Sequence, residues 1–97
     1  MLIVTKFDVD ADIIDAPLSV IEHAEDLQEQ FFKWLFDKNV NHSYWWYENG
    51  LKFGCSYRSN AFIEWLNAFP LKNGDEKATI ISTHVAEYDK TLPSLFF

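Results

Sequence analysis

Three histidines, one cysteine and a short run of aspartates are the side chains of this 97-residue sequence that could do chemistry. Zinc needs His and Cys ligands clustered at short spacings. His23, His42 and His84 lie far apart, Cys55 is alone, and no such spacing exists. A thiol nucleophile needs a nearby base and a lowered pKa. Cys55 falls among Trp46, Phe53 and Tyr57, which predicts a buried, inert thiol. Asp8-Val-Asp-Ala-Asp12 opens like a calcium loop. That loop requires a glycine at its sixth position and a bidentate Glu at its twelfth. Here those positions are Ile13 and Ser19, so the run reads as a solvated acidic loop. Gly50, Gly54 and Gly74 are scattered and form no phosphate cradle. We therefore assign no catalytic residue, no metal and no cofactor from the sequence.

The elements that must position these groups follow from periodicity and turn chemistry. Residues 1–9 are β-branched and aromatic enough for a strand, and 10–16 read as a loop. Pro17 and the capping box Ser19-x-x-Glu22 predict a helix start. Val20, Ala24, Leu27, Phe31, Trp34 and Leu35 then recur at helical spacing, which carries the helix to about Lys38. Two strand-like runs, 42–48 and 51–57, flank Asn49-Gly50, the preferred pair for a two-residue hairpin turn. A regular register from that turn sets Trp46 against Phe53 and Trp45 against Gly54. Tyr44, Trp46, Leu51, Phe53, Cys55 and Tyr57 would then share the core face, with Trp45 and Tyr47 on the other. Ser59 or Asn60 can cap a second helix carrying Phe62, Ile63, Leu66 and Phe69. Residues 77–88 form a last strand, and about 90–97 an apolar tail.

This order predicts one α+β domain over 1–97: a two-layer ferredoxin-like sandwich, β-α-β-β-α-β, with an antiparallel sheet and both helices on one face. The opposite face of such a sheet has no helix to cover it. It should present Trp45, Tyr47, Ile80 and His84, a large apolar surface for a monomer to expose. That face could pair with a second copy, bind another protein, or be covered by the C-terminal tail. Two copies stacked face to face would form an α+β barrel, the architecture of small enzymes or small-molecule-binding proteins with a pocket at the sheet face.

Charge supplies a second surface. The net charge is -7, and residues 1–29 hold eight acids against the single base Lys6. The rest of the chain is balanced. Glu22, Glu25, Asp26 and Glu29 thus give the first helix an acidic face that repels nucleic acid and anionic membranes and attracts a basic partner. A lone cysteine and the lack of a signal-peptide pattern lead us to expect a cytoplasmic location. The functional expectation is a small acidic non-enzymatic protein-interaction or regulatory domain; the alternative is the dimeric barrel.

Overall fold

A computed structural model describes residues 1–97. The fold is mixed α+β, with three helices and two separate sheets. The elements are β1 (Leu2–Lys6), β2 (Ala11–Asp15), α1 (Leu18–Glu22), α2 (Ala24–Leu35), β3 (Trp45–Glu48), β4 (Leu51–Cys55), α3 (Ser59–Ala68), β5 (Thr79–Val85) and β6 (Ser94–Phe96). The larger sheet has the order β5-β2-β1-β6; β3 and β4 form a hairpin of their own.

This corrects the expected ferredoxin-like order and its antiparallel sheet. Residues 11–15 are a strand, because the first run turns back on itself at Phe7–Asp10, where the Phe7 amide donates to the Asp10 carbonyl at 2.8 Å. β1 and β2 pair antiparallel, and so do β2 and β5. The tail pairs parallel to β1 as β6, so the sheet is mixed. The first helical run is broken at His23. Ser19 lies inside α1 and makes no cap; Pro17 precedes the helix instead.

Ile3, Ile14 and Leu95 lie on one face of the larger sheet and pack with Val20 of α1, Phe31 and Leu35 of α2, and Phe62, Trp65 and Leu66 of α3. All three helices therefore cover that face. Phe97 completes this side, its ring 5.1 Å from Phe62 and 5.6 Å from Phe7. The opposite face is not open either. β5 and β6 stand at opposite edges, so residues 86–93 must cross the sheet to join them. Tyr88 on this crossing lies over Lys6, which points away from the helices. Val4, on the same side as Lys6, is fully buried. A face-to-face barrel of two such sheets would have to displace this crossing.

The hairpin turn matches the sequence reading. Asn49 (φ 52°) and Gly50 (φ 77°) both take the left-handed conformation a type I′ turn needs. The register does not stay regular. Tyr47 pairs with Lys52, but Trp46 pairs with Gly54 and Trp45 with Cys55, leaving Phe53 as an extra residue. Such a bulge exchanges the faces of the β4 residues beyond it, so Cys55 joins the side of Trp45 instead of that of Trp46. Cys55 packs on the core, Trp45 beside it is buried, and Trp46 faces outward.

Candidate functional site

The polar centre of the molecule forms where β2, the β1–β2 turn, the start of α3 and the end of β5 meet. Asp12 sits on the helix-covered face of β2 and is only 1% exposed. Opposite it, Thr5 shares a 2.6 Å hydrogen bond with Ser59, which fixes the first turn of α3. Arg58, just before that turn, donates from Nη2 to Asp12 Oδ1 at 2.6 Å. The same Nη2 lies 2.8 Å from Asp10 Oδ1, an ion contact without hydrogen-bond alignment, which leaves that oxygen unpartnered. The guanidinium also stacks on Phe7, 4.4 Å from its ring centre. His84 closes the group. Its Nδ1 is 2.9 Å from Asp10 Oδ2, and its backbone amide donates to Asp12 Oδ1 at 3.1 Å. That amide contact accompanies a left-handed backbone at His84 (φ 53°).

Electrostatics follow from these contacts. The His84 hydrogen bond, and then Arg58, hold the Asp10 carboxyl below its ordinary range against a desolvation that pushes it up. Burial pushes Asp12 up more than any single contact lowers it, but Arg58, Ser59 and the His84 amide together bring it below the ordinary range. The Asp12 hydrogen bond in turn raises Arg58. Both carboxylates and the guanidinium are thus charged at neutral pH and committed to one another. A carboxylate with a lowered pKa is a weak general base near pH 7. An arginine bound by two carboxylates has little charge left for an anionic ligand. A cleft of about 350 Å³ adjoins this cluster, lined also by Asn60, Ile80 and Thr83.

The remaining chemistry candidates have structural partners. Burial pushes the Cys55 thiol up, and its Sγ contacts the Leu35 carbonyl at 3.4 Å. Burial, then the hydrogen bond to Glu64, push Tyr44 up to about 12. His42 caps the end of α2 through the Leu35 carbonyl, at 2.7 Å. No group of three or more His, Cys, Asp or Glu side chains is placed to hold a metal ion.

The four residues expected on one sheet face are scattered. Trp45 is buried; its Nε1 donates to the Val40 carbonyl at 2.8 Å, and its ring stacks on His42. Tyr47 is exposed on the hairpin. Ile80 pairs with Ile14 and so lies on the helix side, at the cleft, with His84 nearby. The four acids stay together and exposed: Glu22 ends α1, Glu25 and Asp26 occupy the first turn of α2, and Glu29 follows one turn on, 3.7 Å from Lys33.

The sequence groups Trp46, Leu51 and Phe53 on one face of the hairpin but assigns that face to the core, and the structure turns it to solvent. Trp46 and Phe53 lie ring to ring at 4.7 Å, with Leu51 on the same side. They are 46%, 64% and 71% exposed, respectively. The regular register groups these three as well; the bulge moves Cys55, which packs on the core, to the side of Trp45 and leaves theirs outward. Arg58 was passed over, although it is the single arginine of the chain.

Comparison with protein-family models, with curated proteins and with solved structures found no match for this chain. No helix is long and apolar enough to cross a membrane.

Proposed function

We propose that this chain is a non-enzymatic protein-interaction domain that engages its partner through the outward face of the β3–β4 hairpin. One observation carries the reading: Trp46, Leu51 and Phe53 form an apolar cluster on a hairpin that joins no larger sheet. Adjacent exposed aromatic side chains mark binding surfaces, and Trp is the residue most enriched at energetic anchors. Their area decides the kind of partner. With about 150–250 Å² per free side chain, the exposed parts sum to roughly 350 Å². A stable interface buries about 800 Å² on each partner. The cluster therefore suits anchors entering an apolar groove of another protein better than a flat surface meeting its own copy.

A photo-crosslinking residue at Glu48, exposed and paired with Leu51 on the same face as Trp46, tests this in cells. One crosslinked species should form in high yield, and Trp46→Asp with Phe53→Asp should abolish it. A crosslinker that captures nothing, or a capture indifferent to that double substitution, would refute the reading. Capture of a second copy would replace the partner with self-association.

A further inference from the structure

We propose that the open edge of β6, with the groove beside it, binds an extended basic segment of another protein as an added strand. This surface is separate from the hairpin and does not rest on the hairpin's role. β6 ends the sheet order, so its outer edge has no strand partner. Its backbone polarity can be assigned. The Pro93 carbonyl accepts from the Val4 amide and the Phe97 amide donates to the Lys6 carbonyl, both at 2.9 Å. Residues 93 and 97 thus point their backbone groups at β1. In a strand, alternate residues point to opposite sides, so Ser94 and Phe96 present theirs outward. Gln28 already donates to the Phe96 carbonyl. The amide and carbonyl of Ser94 and the amide of Phe96 remain for an added strand, the backbone pairing used in strand-addition recognition.

A groove of about 480 Å³ lies beside this edge, between Pro93–Leu95 and the α1–α2 junction. Ile21 contributes apolar surface to it, above the nearly fully buried Ile3 and Leu95. Glu22, Glu25 and Asp26 also line it, with His23 between them, and no Lys or Arg does. None of these three carboxylates has an ion-pair partner, whereas Glu29, outside the groove, is bridged to Lys33. Helix stability accounts for Glu25 and Asp26, since acids are favourable in a helix's first turn. Glu22 closes the five-residue α1 and directly precedes His23, the N-cap of the longer α2, so the same helix end favours its charge. An apolar floor, an acidic wall and free backbone groups along one edge together select an occupant that is extended, alternates apolar with basic side chains, and leaves its amides free.

Nuclear magnetic resonance titration of the full chain with two synthetic peptides, alternating Val-Lys and alternating Val-Glu, tests this. The lysine peptide should shift the amides of Ser94, Phe96 and residues 22–26, with an affinity that falls as salt rises. Substituting Glu25→Gln with Asp26→Gln, both exposed, should weaken binding about tenfold, as expected for lost charge complementarity. N-methylating the lysine peptide's backbone, with its charge unchanged, should abolish binding. Equal binding of the glutamate peptide, shifts confined to other elements, or full binding by the N-methylated peptide would overturn the proposal. So would the absence of any shift at millimolar peptide.

Discussion

Around Arg58, a buried carboxylate and a partly buried one both face the same guanidinium; on the β3–β4 hairpin, apolar groups lie outside and face only one another. Asp12 is buried because Arg58 and the His84 amide meet it there. Trp46, Leu51 and Phe53 are exposed because their strands join no larger sheet. A buried ion pair adds little net stability, but breaking it strands a charge in a poor solvent. An exposed aromatic pair contributes little to folding and can be removed at low cost. The first region should thus be read as what folding depends on, the second as what folding leaves available.

The largest effect should come from breaking the pairing at Arg58. Arg58→Ala leaves Asp12 without its countercharge and should cost about 3–5 kcal/mol, by denaturant titration. A loss below that of the hairpin substitutions would collapse the distinction between the two regions.

Adjacent tryptophans sharpen it further. Trp45 and Trp46 are neighbours in one strand, yet Trp45 is buried and hydrogen-bonded while Trp46 is half in solvent. Trp45→Ala should cost about 3 kcal/mol, within the range for buried aromatic truncations. Trp46→Ala should cost less than about 1 kcal/mol, the worth of one exposed aromatic pair. Equal losses in thermal unfolding would show that the two tryptophans do not differ in burial as described.

Acid supplies a third test. Asp10 and Asp12 both have folded-state pKa values below the ordinary 3.8. Their pairing therefore stabilises the fold fully above about pH 4 and is lost as pH falls through the lower folded values. Asp12→Asn should be less stable at neutral pH by about 2 kcal/mol, the scale of a hydrogen bond to a charged group. The same variant should lose less stability than the parent between about pH 4 and pH 2. Parallel pH curves for parent and variant would mean that Asp12 is not ionised in the folded state.

What the sequence revealed divides along the same line. The Asn49-Gly50 turn was legible because both positions need a left-handed backbone that few residues supply. α3 was legible from its apolar spacing. β2 was not, because Asp10, Asp12 and Asp15 make residues 10–16 look like a solvated loop. That inference assumes charge means solvent, and it fails where an arginine 46 positions away neutralises the charge inside. The helix break at His23 has no Gly or Pro to announce it. The tail was recognised as apolar, but its parallel pairing with β1 depends on contacts far apart in the chain. The candidate surface fared in the same way: the acidic residues were found by composition, whereas the apolar cluster was grouped but given to the core, because one extra residue in β4 pairs the inward Cys55 with Trp45.

That extra residue suggests the finest test. Gly54 faces Trp46, and a Cβ built on it would come within 2.9 Å of the indole Nε1. The clash is with the side chain of an exposed residue, which can swing away. Alanine also suits a strand slightly better than glycine, whose greater freedom in the unfolded chain costs about 0.5–1 kcal/mol. The two effects oppose each other, so Gly54→Ala should change stability by no more than about 0.5 kcal/mol. It should nonetheless move the Trp46 ring off Phe53, visible as a changed near-ultraviolet circular dichroism signal. Crosslinking through Glu48 should then weaken although folding is intact. An unaltered aromatic spectrum would place the Trp46 ring away from Gly54 and restore the regular register, in which Gly54 faces Trp45.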